Sequence, residues 1–364
     1  MNNKEKRLVL ELCKFHNQDK SELISLIDEG YATPSVLGEL FFNRMAGISH
    51  GILEEAELLG KVNREFRNSL SGARIQNTEK NKSFLKCLKY ITSILSKYES
   101  DYVMLKGAYL CSIYPKGYRT SNDIDLLVNP KSISNIEKIL LSEGFKQGSV
   151  RNGSFVAATR NEILSSKMLR GETVPFIKQV DLPYMKYLEI DINFSLGFTR
   201  DDGKAVKEII EEGRLVELEY FSVRIPSEKH FFIHLCSHLW KEASTYPWVK
   251  MKRDMSLYKY CDIYYLMNQM SLEKAIEIAE CAKKYNIEKE CYCSLIQTKE
   301  LFGETNPIYD DLIDKLNISD PNISDYVIAP ANKKLYIYTE KSAIERLFSE
   351  DRCKLLKEVG EWNP

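Results

Sequence analysis

The chain is 364 residues long, which is enough for two domains or for one domain with helical additions. Because 51 basic side chains nearly balance 52 acidic ones, the net charge of −1 does not favour a general nucleic-acid binder or a membrane-surface protein. No run of about 20 apolar residues occurs, so we expect no transmembrane helix. The N-terminal stretch MNNKEKRLVLELCKFH is charged and then amphipathic, without an apolar core or a small-residue cleavage site, so we expect no signal peptide. Nine cysteines, odd in number and scattered, predict free thiols in a cytoplasmic protein.

Three regions of different character follow one another along the chain. Residues 1–100 predict helices, since apolar side chains recur at steps of three and four, most clearly in residues 81–98. Residues 101–226 change to alternating, β-branched and aromatic runs that predict strands, with a helix between two of them. Helical periodicity returns in residues 227–364. We therefore predict an α+β fold, in which a mixed-sheet core is flanked by N-terminal and C-terminal helical regions.

A glycine turn follows the first predicted strand, YVML. Lys106, Gly107 and Ala108 form this turn and begin a short helix-like stretch, AYLCSIY. Glycine at such a turn lets a phosphate approach backbone amides at a helix start, so alanine at Gly107 is expected to weaken triphosphate binding more than metal binding. Lys106 and Arg119 are placed in the sequence to act as cations near those phosphates.

The next predicted strand, NDIDLLV, carries two aspartates on one face. Side chains alternate along a strand, so Asp123 and Asp125 face one way while the apolar residues face a core. A later run, YLEIDINFSL, repeats this pattern with Glu189, Asp191 and Asn193. If the two strands are neighbours, the carboxylates converge, which is unfavourable unless a cation compensates their charge. Hard oxygen ligands of this kind suit Mg²⁺ or Mn²⁺, which bridge phosphate oxygens.

The motif LKG…YPKGYRTSNDIDLLV, followed by the later aspartate strand, resembles the nucleotidyltransferase superfamily of the DNA polymerase β type. More narrowly, it resembles uncharacterised nucleotidyltransferases of bacterial biosynthetic gene clusters. The resemblance implies that Asp123 and Asp125 bind two Mg²⁺ ions, and that Asp191 binds the second ion and helps to activate an acceptor hydroxyl. It also implies that Gly107 and its neighbours hold the triphosphate of an NTP, from which a nucleoside monophosphate is transferred with release of pyrophosphate.

The sequence departs from the family pattern at two places. The superfamily turn is usually Gly-Ser or Gly-Gly, whereas Ala108 follows the glycine here and removes one hydroxyl contact to phosphate. The narrower family commonly has His and Trp after the third aspartate, where this chain has Asn193 and Phe194. The acceptor therefore stays open. A small metabolite or a peptide fits the resemblance to biosynthetic enzymes, and tRNA, protein and antibiotic acceptors remain alternatives.

Other interpretations of the same residues also stay open. An Asp-x-Asp pair alone occurs in sugar-nucleotide glycosyltransferases and in haloacid-dehalogenase-type phosphatases, although the latter would need a small hydroxyl or branched residue at Leu127. A non-catalytic nucleotide-binding or scaffold protein would keep the fold without the reaction. Glu189 is either a metal or acceptor ligand or a solvated strand-end residue. His234 and His238, four residues apart on an apolar helix, are expected to face the cleft without binding zinc.

Overall fold

The computed structural model describes residues 1–16, 18–97, 101–196 and 203–362 of the protein. The chain forms two units, one made of Met1–Gly72 with Phe232–Pro364 and the other of Ala73–Phe231. The helices before residue 72 therefore share a unit with the C-terminal part of the chain. The strands of the largest sheet all lie in the second unit.

Five helices open the chain: α1 (Asn3–Glu11), α2 (Lys20–Asp28), α3 (Pro34–Phe42), α4 (Ala46–Glu55) and the 32-residue α5 (Arg64–Leu95). Asn2, Asp19 and Thr33 cap the first three, because each side chain accepts a hydrogen bond from a first-turn backbone N–H. Even the long α5 is rich in charged residues. Among the residues that the structure describes, no helix is both long enough and apolar enough to cross a bilayer.

Strands and helices alternate through the second unit. Its elements in chain order are β1 (Tyr102–Met104), α6 (Gly107–Ile113), β2 (Asp123–Val128), α7 (Ile133–Ser142), β3 (Lys146–Arg151), β4 (Ser154–Ala157), α8 (Arg160–Ser165), β5 (Phe176–Leu182), β6 (Met185–Asn193), α9 (Lys204–Glu211), β7 (Arg214–Leu218) and β8 (Phe221–Ile225). A π-helical turn, Ser166–Arg170, lies between α8 and β5. The last two strands form a separate antiparallel hairpin.

The six-stranded sheet has the order β1-β2-β6-β5-β3-β4. Strands β2 and β6 are parallel, whereas the other neighbouring pairs are antiparallel. The predicted mixed sheet and the α+β class are therefore confirmed. Because a parallel pair needs a crossover connection, a long stretch of chain separates β2 from β6 in the sequence.

Apolar side chains cover both faces of this sheet. On one face Ile124, Leu126 and Val128 of β2 pack in a core with side chains of α5 and α7. Each fully buried Ile or Leu side chain contributes about 1.5–3 kcal/mol. On the other face Leu127 packs against α9. The face of β2 that carries Asp123 and Asp125 thus becomes apolar at Leu127, so the carboxylates are confined to the beginning of the strand.

The C-terminal region is not purely helical. Its elements are α10 (Glu228–Ala243), α11 (Tyr246–Lys250), α12 (Leu257–Met267), α13 (Leu272–Lys284), α14 (Glu288–Phe302), α15 (Pro307–Leu316), β9 (Tyr326–Ala329), β10 (Lys334–Tyr338), α16 (Ala343–Leu347) and β11 (Leu356–Glu361). Strand β10 pairs with β9 and β11 in an antiparallel sheet that the sequence analysis did not predict. Its signal was present in KLYIY, where aromatic and β-branched residues cluster.

Candidate active site

The two acidic strands are direct neighbours. In the parallel register of β2 and β6, Asp123 lies opposite Glu189 and Asp125 lies opposite Asp191. Residues opposite each other in a sheet point their side chains to the same face. The register therefore brings together the carboxylates that strand alternation had placed on one face of each strand.

Three of these carboxylates form a compact triad. One oxygen from each of Asp123, Asp125 and Asp191 lies within 4.8 Å of the others. The predicted convergence is confirmed, and no other group of three or more His, Cys, Asp or Glu ligand atoms is this close among the described residues. Carboxylate oxygens suit Mg²⁺ or Mn²⁺ rather than softer metals, so the donor set fits a hard divalent cation.

Lys106 already supplies one positive charge to the triad. Its Nζ donates to Asp125 Oδ1 at 2.7 Å, and Asp125 is only 3% exposed. Burial acts to lower the pKa of Lys106, but the negative charges of Asp125 and Asp123 and the hydrogen bond outweigh it, so the pKa lies above its ordinary value. The sequence analysis placed this ammonium near phosphates and did not foresee its pairing with Asp125.

The pKa values of the carboxyl groups are driven apart. Partial burial, followed by the charges of Asp125 and Asp123, raises the pKa of Asp191 well above its ordinary value. The same causes raise the pKa of Glu189. Burial also acts to raise the pKa of Asp123, but the Lys106 charge and a side-chain hydrogen bond outweigh it and hold this pKa below its ordinary value. The ionised form is thus favoured at Asp123 on β2 and disfavoured at Asp191 and Glu189 on β6.

Ser121 is a site residue that the sequence analysis missed. Its hydroxyl donates to Asp123 Oδ1 at 2.9 Å, and its side chain is buried. Gly107 makes room for it, since a Cβ on Gly107 would lie 2.3 Å from Ser121 Oγ. Gly107 does not have a positive φ; the unusual backbone belongs to Lys106, with φ 43° and ψ −111°. The spacing of Ser121 two residues before Asp123 was the available signal, because serine commonly bonds locally in this way.

The other residues predicted to bind nucleotide lie around the same turn. The charge of Arg119 acts on Asp123 and lowers its pKa, while the Arg119 guanidinium donates to the Thr120 carbonyl. Ala108 is buried, and its backbone N–H donates to the Leu105 carbonyl at 3.2 Å. Arg119 therefore lies in the electrostatic field of the triad. Contact of either residue with a nucleotide remains a prediction.

Glu189 and Asn193 extend the polar face of β6 on either side of Asp191. Asn193 lies opposite Leu127 in the register and forms an isolated antiparallel bridge with Glu172. Glu189 is part of the acidic cluster electrostatically, as its raised pKa shows. A role for either residue in binding metal or acceptor stays a prediction.

His234 and His238 lie on α10 within the other unit. Their rings stack with centroids 6.4 Å apart. His238 Nε2 lies 3.4 Å from Glu242 Oε1, and the Glu242 carboxylate also pairs with Lys259. The position of the two histidines at a substrate cleft remains a prediction.

The fold and the site together define a class of enzyme. A mixed sheet that presents three carboxylates from neighbouring parallel strands, behind a basic glycine turn, is the core of a nucleotidyltransferase, a transferase of phosphorus-containing groups. The family model described as "uncharacterised nucleotidyltransferase" matches residues 36–303, and the chain belongs to this family. A comparison with curated proteins gave no match.

The close packing of Gly107 against Ser121 gives a first test of the site. Gly107→Ala is expected to lower the free energy of unfolding by about 1–3 kcal/mol, because the new Cβ overpacks this contact. It should also weaken divalent-metal binding, since Ser121 holds Asp123, which revises the expectation that this substitution acts mainly on triphosphate binding. Denaturant unfolding and a metal titration on the same variant measure both effects.

Two further variants make this test specific. Ser121→Gly in the Gly107→Ala background removes the clash and should restore part of the lost stability. Gly38→Ala is the matched control, because Gly38 lies within α3 and a Cβ there would meet open space. This substitution should raise the free energy of unfolding by about 0.5–1 kcal/mol. Unchanged stability in Gly107→Ala would contradict the packing described here.

Proposed function

We propose that the protein transfers a nucleoside monophosphate from an NTP to an acceptor hydroxyl or phosphate, releasing pyrophosphate, with Mg²⁺ or Mn²⁺ at the triad of Asp123, Asp125 and Asp191. The observation that carries this proposal is the convergence of the three carboxylates within 4.8 Å beside Lys106. Four ionisable groups so close together are typical of a site built for charged ligands rather than for stability.

The three aspartates have different roles in the proposed transfer. Asp123 and Asp125 of β2, together with Asp191 of β6, would hold the divalent cations. When bound, the divalent ions would neutralise the charge of the triphosphate and hold reacting oxygens in line. The acceptor oxygen attacks the α-phosphorus, and the bond from this phosphorus to the bridging oxygen breaks, so that pyrophosphate leaves. When the acceptor is a hydroxyl, Asp191 helps to remove its proton. The rate gain then comes mainly from positioning and charge neutralisation.

The turn that precedes the triad is proposed to bind the triphosphate. Lys106 and Arg119 supply positive charge, and Gly107 and Ala108 place backbone close to the phosphates. Arg119 already acts electrostatically on Asp123, which supports its place near the same ligand. Glu189 and Asn193 are proposed to contribute to the cleft that receives nucleotide or acceptor. The expectation that His234 and His238 face a cleft without binding zinc stays a prediction.

The motif LKG…DIDLLV supports assignment to a particular nucleotidyltransferase superfamily, beyond the family match alone. We propose that the protein is a DNA polymerase β-type nucleotidyltransferase of bacterial origin, acting in the cytoplasm. Its acceptor is proposed to be a small metabolite or a peptide of a biosynthetic or modification pathway, without nucleic acid as a partner. The near-zero net charge supports this last point, since nucleic-acid binding depends on neutralising phosphates.

Transfer is tested with NTPs labelled at the α-phosphorus. The purified protein is incubated with each NTP, Mg²⁺ or Mn²⁺ and metabolite or peptide extracts from the native host. We expect pyrophosphate release and a labelled acceptor whose mass increases by one nucleoside monophosphate. Asp191→Asn should show neither product, and Glu277→Gln, which changes an exposed acid on α13, should behave as wild type.

Metal-dependent NTP binding without pyrophosphate release, under every acceptor condition, would favour a non-catalytic nucleotide-binding protein. Release of pyrophosphate only in the presence of tRNA, of a protein or of an antibiotic would keep the reaction but change the acceptor. Mass spectrometry of the labelled product separates these outcomes.

A further inference from the structure

Lys106 places an ammonium group where the proposed function places divalent cations. Its Nζ lies 2.7 Å from Asp125 Oδ1, and its side chain is only 18% exposed. An ammonium at that distance occupies one of the two carboxylate oxygens of Asp125, and its charge repels an incoming cation. Competition between the lysine and metal in the nucleotide-free protein is therefore expected.

The backbone holds Lys106 in this position under strain. Its φ of 43° and ψ of −111° lie outside the regions that residues with a Cβ normally adopt. The Lys106 carbonyl accepts from Tyr109 N and Leu110 N at 3.1 and 2.9 Å. On its other side, Leu105 N donates to the Asp125 carbonyl at 2.9 Å. Strain that is fixed in this way by its surroundings is concentrated at functional sites.

We propose that Lys106 is a positioning residue that acts as the counterion of the triad before metal arrives and moves to the triphosphate when NTP enters. This inference rests on the proposed function, because it assumes that the triad accepts divalent cations and that the turn accepts a triphosphate. The lysine stem is flexible and carries a point charge, so it can exchange one anionic partner for another.

The exchange has a thermodynamic consequence. While Lys106 pairs with Asp125, metal alone binds weakly, since it must enter against a positive charge. The triphosphate draws the ammonium away and brings negative charge of its own, so metal binds more tightly with NTP than alone. Because such coupling is reciprocal, metal must raise the affinity for NTP by the same factor. Lys106 thereby favours loading of metal and nucleotide together.

Titration with Mn²⁺ tests this coupling without any turnover. Free Mn²⁺ is followed by electron paramagnetic resonance, with and without a non-hydrolysable NTP analogue. For wild type we expect weak Mn²⁺ binding that the analogue strengthens. Lys106→Met, which keeps an unbranched stem and the Cβ but removes the charge, should bind Mn²⁺ alone about tenfold more tightly. The same variant should bind the analogue about tenfold less tightly and lose most of the coupling.

Matched variants separate charge from other effects. Lys106→Arg keeps the positive charge and should keep weak binding of Mn²⁺ alone. Lys116→Met removes an exposed lysine after the same helix, α6, and should behave as wild type. If circular dichroism shows that Lys106→Met does not fold, Lys106→Gln carries the same expectation.

Three possible results separate the counterion role of Lys106 from the proposed function. Unchanged affinity of the folded Lys106→Met or Lys106→Gln protein for Mn²⁺ alone would overturn the counterion role, while the proposed function would stand. Failure of wild type to bind Mn²⁺ even with the analogue would overturn both. A fall in analogue affinity with no gain in Mn²⁺ affinity would reduce Lys106 to a simple phosphate contact.

Discussion

Asp191→Asn is expected to abolish nucleotidyl transfer and, in metal-free protein, to raise the melting temperature. The loss of a metal-holding carboxylate should lower kcat/KM by about 10³-fold or more, since several kcal/mol of charge stabilisation disappear from the transition state. The gain in stability follows from the raised pKa of Asp191, because burial and the charges of Asp125 and Asp123 disfavour its ionised form. A gain of about 1 kcal/mol corresponds to about 2–4 °C in a domain of 150–250 residues.

Asp123→Asn is the matched comparison on the neighbouring strand. It should lose activity to a similar extent, but its stability should fall, because the pKa of Asp123 is held below its ordinary value and the folded state favours its charge. Strand alternation alone predicts that the aspartates repel one another equally. The structure instead shifts the pKa values of Asp123 and Asp191 in opposite directions. Normal turnover in Asp191→Asn would contradict its catalytic role, and a higher melting temperature in Asp123→Asn would contradict the charge distribution.

In the presence of a non-hydrolysable NTP analogue, Mg²⁺ is expected to stabilise the wild-type protein strongly and more at neutral than at acidic pH. At a metal concentration about 100 times the dissociation constant, binding to the folded state alone contributes about 2.7 kcal/mol. The melting temperature should then rise by about 5–10 °C. Scanning fluorimetry or calorimetry with the analogue, in the presence and absence of Mg²⁺, at about pH 5 and about pH 7.5, measures this effect.

The sign of the pH dependence comes from Asp191 and Glu189, whose pKa values are raised. Between the ordinary and the raised pKa the folded protein binds more protons than the unfolded chain, so metal-free stability falls as pH rises through that interval. Protons compete with metal for the same oxygens, so the stabilisation by Mg²⁺ grows as pH rises. Asp191→Asn should weaken the pH dependence of both the metal-free stability and the stabilisation by Mg²⁺. Glu277→Gln should leave both pH dependences unchanged. Equal Mg²⁺ stabilisation in Asp191→Asn and wild type would place the metal elsewhere.

The sequence by itself determined the acidic face of each strand. Alternation is a local property with a period of two residues, so NDIDLLV and YLEIDINFSL were sufficient to assign Asp123, Asp125 and Asp191 to one face of their strands. The succession of periodicities likewise determined the α+β class. The C-terminal sheet was missed because β10 is short and lies within a largely helical stretch, where helical periodicity dominated the interpretation.

Only the tertiary structure decided which groups touch. The parallel pairing of β2 with β6 joins segments that are distant in sequence, and it converts two acidic faces into one triad. The contact of Lys106 with Asp125, and the space at Gly107 that Ser121 fills, depend on how α6 packs beside β2. The different pKa values of Asp123 and Asp191 arise from burial and from charges a few ångströms away. Local sequence patterns cannot determine these properties, because interatomic distances and solvent exclusion are set by packing between distant parts of the chain.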